Sequence, residues 1–191
     1  MGDIAAGVEL VLKGLSEKFG VDTTDRNLVD TPARVERMFD ELLEGTRDTQ
    51  QQVEDILASS FPCEYDYLVV MRGIEAFSLC PHHLLPVHYT VHVAYLPLGS
   101  VVGISKLARL VNVLSRRLVL QEQLADDISS SLMRIEGCRG AACIIEGTHY
   151  CMVMRGVKQS RARTITSSLK GVFLEDLGLK QEAFALIRQE G

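Results

Sequence analysis

A chain of 191 residues, 47% hydrophobic and 24% charged, has ordinary globular composition and is long enough to bury one real core. Its net charge of −5 and the lack of aromatics interleaved with its cations argue against nucleic acid as a partner. No apolar stretch approaches the ~20 residues of a membrane span and no leader pattern is evident, so neither a membrane nor export is expected, and the expected location is cytoplasmic.

Charge and cysteine usage are both uneven. Residues 106–170 hold eleven of the 20 Lys and Arg against five of the 25 acids, a local excess that fits either an anionic ligand or a solvated helix face. The five cysteines, Cys63, Cys80, Cys138, Cys143 and Cys151, are odd in number and irregularly spaced. That disfavours a disulfide framework and leaves metal or catalytic use open.

In chain order, Ile4, Val8, Val11, Leu12, Leu15 and Phe19 recur at helical spacing over 4–19. "TPARVERMFDELLEG" predicts a second helix, with Thr31 to cap it, Pro32 in its first turn and Gly45 to end it. A short helix near 49–59 follows. From Tyr67 the pattern turns to β: "YLVVMRGIEAFSLC" is rich in branched and aromatic residues. In "HYTVHVAYL", Tyr89, Val91, Val93 and Tyr95 alternate with His88, Thr90, His92 and Ala94. Two helices come next, one starting at Ser105 and one carrying Leu124, Ile128, Leu132 and Ile135. "AACIIEGTHYCMVMRG" reads as a strand pair or bent strand, "ARTITSSLKGVF" as a further strand, and 181–189 as a helix. The order predicts an α+β domain with antiparallel hairpins over 63–191, preceded by an acidic helical segment over 1–62.

The chain's five histidines are concentrated near two of its cysteines. "SLCPHHLLP" spaces Cys80 and His83 as C-x-x-H, and "HYCMVMRG" offers Cys151 two residues after His149. Two thiolates and an imidazole are a soft donor set suited to Zn²⁺, and three protein ligands leave a fourth position open, as in catalytic zinc sites. His82 and His149 would then be free for proton transfer. Spacing alone also allows two buried thiols beside ordinary strand histidines. His88 and His92 read as plain strand residues.

Taken together, "TPARVERMFDELLEG", "LCPHHLLP", "VAYLPLGSVVGISKLARLVNVLSRRL" followed by "QEQL", "THYCMVMRGV" and "TITSSLKGVF" resemble, in order and over essentially the whole chain, the GTP cyclohydrolase I family. The resemblance implies a tunnelling fold, antiparallel β with two helices packed on it, assembled as toroidal pentamers stacked into a homodecamer with active sites between subunits. It implies zinc on Cys80, His83 and Cys151, with His82 and His149 as acid/base groups. Glu122, following Gln121, matches the carboxylate that grips the guanine N–H groups, while Ser105, Lys106, Arg109, Arg155 and Arg34 match positions around the triphosphate and ribose. The implied reaction is hydrolysis at C8 of GTP with loss of formate, giving 7,8-dihydroneopterin triphosphate for folate or pterin synthesis.

Two places depart from the family pattern. Proline stands at 81 where Cys-Glu-His-His is usual, and Tyr89–Thr90 replaces Gly-Lys, so two changed spots flank the metal motif. They fit neutral drift, or a paralogue that takes a different purine or stops at a ring-opened formamide. A non-catalytic binding or regulatory relative is the remaining reading.

Overall fold

The computed structural model describes residues 2–188, which divide into two compact units at the Glu44/Gly45 junction. In the first, helix α1 (Asp3–Phe19) packs on α2 (Thr31–Leu42). α1 carries Asp3 in its first turn and Lys18 in its last, both favourable to its dipole. It closes on Gly20, whose left-handed backbone (φ 71°) lets its N–H reach Ser16 O. The connecting loop is held by Asp22 and Asp25, which accept the Thr24 and Asn27 N–H groups at 2.9 and 2.8 Å. Pro32 occupies the first turn of α2, where no N–H is needed.

The second unit begins with α3 (Thr49–Leu57) and the two-residue strand β1 (Phe61–Pro62). β2 (Val69–Leu79), β3 (Pro86–Leu96), the short β4 (Ser100–Val101), α4 (Ile104–Ser115) and α5 (Gln121–Leu132) follow. β5 (Gly140–His149), the single-turn α6 (Tyr150–Val153), β6 (Thr164–Gly171) and α7 (Leu177–Arg188) complete it. β2, β3, β5 and β6 form one antiparallel sheet in that order, and β1 pairs with β4. α4 packs on β2 and α5 on β5 and β6. The alternation read from β3 is realised: Tyr89, Val91, Val93 and Tyr95 are wholly buried in the cluster with Leu107, Leu110, Leu124 and Ile128 of the two helices.

Four expectations shift. The compact units part after Glu44 rather than after Pro62, because α3 packs on α4 and sets Val53 into the main core. Gly45 does not stop α2, which ends at Leu42; it lies in a 3₁₀ turn where a Cβ would stand 1.9 Å from Val113 O of α4. "AACIIEGTHYCMVMRG" is one strand in unbroken register with β3, then a helical turn, so Cys151 lies on α6 and not on a strand. α7 begins earlier than the expected helix over 181–189, whose residue 189 falls outside the described residues. Among the described residues no helix is long and apolar enough to cross a membrane, and all five cysteines are free.

Candidate active site

The site is built where the β2–β3 loop meets the end of β5. Cys80 closes β2, and two N–H groups fold the chain back onto its carbonyl: His83 at 3.3 Å and Leu84 at 2.8 Å. The Cys80 N–H donates in turn to Leu85 O at 2.8 Å, and Leu84 takes the left-handed conformation (φ 53°) that reverses the chain. Pro81 is the second residue of the resulting four-residue turn. Proline is favoured there because its fixed φ suits the position and no N–H is called on. The departure at 81 is therefore compatible with the geometry of both flanking residues.

Register brings in the third donor. Val87 of β3 pairs with His149 of β5, so the chain emerging from β5 into α6 stands beside the Cys80 loop. The ligand atoms of Cys80, His83 and Cys151 all lie within 4.8 Å of one another. Donors 2.0–2.3 Å from a tetrahedral ion stand roughly 3.3–3.8 Å apart, and Cys80 Sγ is 3.7 Å from His83 Nδ1. Spacing and chemistry both fit a soft divalent cation. Without one, burial and the neighbouring Cys80 thiol push the Cys151 thiol up.

His149 is held from behind. Its Nε2 is 2.8 Å from Gln121 Oε1. Gln121 is buried, and its amide nitrogen already donates to Ile145 O (3.1 Å), Thr164 O (2.9 Å) and Thr166 Oγ1 (3.2 Å). The amide oxygen therefore faces the imidazole, Nε2–H donates to it, and Nδ1 keeps the lone pair of the neutral ring. Burial lowers the imidazole's pKa, opposed by the Glu122 charge. Gly147 makes this contact possible, because a Cβ there would sit 2.2 Å from Gln121 Oε1 and 3.2 Å from His149 Nε2. Gly147 and the three acceptors around Gln121 carried no signal in the sequence reading; only the β5–β6 pairing gathers them.

A cavity of about 210 Å³ is lined by Cys80, His82, Gln121, Glu122, His149 and Cys151, with Pro81 at its edge. It is smaller than the roughly 300–1,000 Å³ of a drug-sized ligand's pocket. Glu122 lies in the first turn of α5 with its side chain exposed. His82 is exposed, with Nδ1 3.7 Å from Cys80 Sγ. Arg155, just after α6, brings Nη1 to 2.6 Å from His83 Nε2.

The remaining expected residues are not gathered here. Ser105, Lys106 and Arg109 ride on α4 and none lines the cavity. Lys106 Nζ instead donates to Ser59 O and Oγ at 2.8 and 2.7 Å. Arg34 belongs to the first unit, paired with Asp30 at 3.3 Å. Thr90 also does not flank the metal motif: strand alternation turns it to the opposite sheet face, in register with Glu75 and Glu146. On that face His88 pairs with Glu75 and stacks on Phe77, and His92 Nδ1 accepts the Gly73 N–H at 3.3 Å.

The chain is thus an α+β protein with a Cys₂His group that could hold a metal ion at one end of an antiparallel sheet, beside a cavity lined by two further imidazoles and a carboxylate. The profile of the family described as GTP cyclohydrolase I matches residues 8–188. The GTP cyclohydrolase 1 of Clostridium perfringens is 39% identical over 184 residues, covering 96% of each chain. That of a Synechococcus species is 43% identical over 186 residues, covering 97% of this chain and 78% of the relative. A crystal structure of the archaeosine synthase QueF-Like in the apo form is 18% identical with a TM-score of 0.48, covering 56% of this chain and 97% of that one. The chain belongs to the GTP cyclohydrolase I family, and its sheet with two packed helices is the tunnelling fold.

Gly147→Ala should force the Gln121 amide off His149 and strip buried acceptors of their donor. The expected loss is about 1–3 kcal/mol of stability, read as a lower urea midpoint at unchanged slope. An unchanged midpoint would show that Gln121 rearranges freely and does not hold the imidazole.

Proposed function

We propose that this chain is a zinc-dependent GTP cyclohydrolase I, opening the purine five-membered ring of GTP at C8, releasing formate and yielding 7,8-dihydroneopterin triphosphate for folate or pterin synthesis. The observation that carries the reading is that Cys80 and Cys151 of the Cys80–His83–Cys151 group line the same cavity as His149, whose Nε2 is held by Gln121. Family membership over nearly the whole chain supports it.

Cys80, His83 and Cys151 hold the ion, which when bound supplies Lewis-acid activation of water at neutral pH. His149 presents Nδ1 as the basic atom and moves a proton to or from a purine ring nitrogen, while Gln121 accepts from Nε2–H. His82, on the exposed side of the cavity, carries the second proton. The Glu122 carboxylate accepts the two N–H groups of the guanine edge, an arrangement adenine cannot satisfy. Arg155 meets phosphate oxygens at the rim.

Ser105, Lys106, Arg109 and Arg34 complete the triphosphate and ribose contacts from neighbouring copies, so the working unit is a homo-oligomer, a toroidal decamer. Two features support this: the one-chain cavity is small, and among the described residues no further strand of the sheet pairs with the outer edges of β2 and β6, where β2 has only a single bridge from Leu79 to Leu118. The free thiols fit a reducing, cytoplasmic setting.

The deciding experiment is incubation of purified protein with GTP, following formate and dihydroneopterin triphosphate. Robust formation of both is expected; a ring-opened formamide accumulating instead would assign an earlier stop, and no GTP turnover would point to another purine. Metal analysis should find about one zinc per chain, falling to background in a folded Cys151→Ser variant. Full zinc in that variant would remove Cys151 from the ligand set.

Glu122→Gln should leave zinc in place and cut turnover at least about a hundredfold, since an amide replaces one acceptor with a donor facing a donor edge. Wild-type turnover would reduce Glu122 to a helix-terminus charge. Light scattering should show an assembly near ten chains, and a stable, active monomer would refute the shared site.

A further inference from the structure

Tyr89 is 0% exposed, yet it sits beside the catalytic end of the sheet. In the β3–β5 pairing it lies opposite Gly147, and on its other side it faces Ala76 of β2. With no side chain on Gly147 and only a methyl on Ala76, the ring has room across the strands. It meets His149 edge-on, with ring centroids 6.3 Å apart and planes at 80°. Its hydroxyl shares a hydrogen bond of 2.9 Å with Ser78 Oγ, itself buried at the end of β2. Tyr89 does not line the cavity that His149 lines, so it meets the imidazole from the protein side and not from the substrate side.

We propose that Tyr89 is a positioning residue for His149: a ring anchored through Ser78 that keeps Nε2 on Gln121 and Nδ1 toward the substrate. Gln121 alone holds one atom of the imidazole, and because the last torsion of a histidine is broad the ring can swing off that single bond and exchange tautomers. A second contact on the ring removes that freedom. Gly147 serves both supports, giving space to Gln121 Oε1 and standing opposite Tyr89 in register. The inference rests on the reading of His149 as the proton carrier of the GTP reaction.

The test compares Tyr89→Leu, Tyr89→Met and Tyr89→Phe in folded protein of equal zinc content. Leu and Met fill the core without an aromatic edge; Phe keeps the edge and loses only the hydroxyl. The expected result for Leu and Met is a fall in kcat of about tenfold to a hundredfold with KM within about twofold, as for a displaced catalytic group. Phe should recover kcat to within about threefold of wild type. A second measurement needs no turnover: ¹⁵N spectra of the His149 imidazole should report the neutral Nε2–H tautomer in wild type and Phe, and mixed tautomers in Leu and Met. If Leu fails to fold, Met and the Phe comparison still decide. Wild-type kcat together with an unmixed Nε2–H tautomer in either aliphatic variant would overturn the proposal. A wild type inert on GTP would instead overturn the cyclohydrolase reading, and the tautomer spectra would still test the support.

Discussion

The pairing of β3 with β5 is the constraint on which the site depends. Val87 opposite His149 sets the Cys80 loop beside α6, and Tyr89 opposite Gly147 places an aromatic ring where it can reach the imidazole. The side-chain period of a strand is two, so a slip of one residue would invert every position. Tyr89, Val91 and Val93 would leave the core, and His88, Thr90 and His92 would enter it with Glu146 and no polar partners to receive them. The burial of the first set and the polar face made by the second thus lock the register. The metal donors inherit their separation from that lock.

The parts of this arrangement written in local pattern were legible in the sequence. The period-two alternation of β3 announced its buried face, and C-x-x-H followed by a distant H-x-C announced a donor set whose atoms do come within 4.8 Å. The parts that depend on what lies across the sheet were not. "GTHYCMV" carries branched and aromatic residues that read as strand, yet it turns into a helix at Tyr150 because the strand ends where its partner β3 begins, at Pro86. Gly45 resembled a helix stop, whereas its lack of a side chain answers to Val113 O, far away in sequence. Thr90, adjacent to Tyr89, looked like part of the same change in the pocket; alternation sends the two to opposite faces.

The division of labour across the cavity follows from burial. The side of the protein interior holds groups whose orientation must not change: Gln121 with every amide hydrogen bond satisfied, Gly147, and the Tyr89–Ser78 pair. The open side holds the ionisable groups His82, Glu122 and Arg155, all exposed. A buried network with all its members paired is rigid and costs little, whereas a charged group needs water or a counter-ion. The cations of α4 obey the same rule: Arg109 is exposed and Lys106 is half-buried with its ammonium hydrogen-bonded to Ser59.

Seen in this light, the two departures from the family pattern act on the same quantity from opposite ends. At position 81 a flexible acid gives way to a residue that fixes φ in the turn already tied by His83, Leu84 and Leu85 to Cys80. At position 89 a residue without a side chain gives way to a ring that meets His149. One stiffens the loop that carries two metal ligands, and the other stiffens the neighbourhood of the base. Preorganised donors and acceptors lose little freedom when the reaction begins, and a site can reach that condition by packing as well as by charge. The cost is stability borrowed from the core, since Tyr89 must be accommodated between β2 and β5. Ala76 and Gly147, the two smallest residues available on either side of it, are what make that accommodation possible.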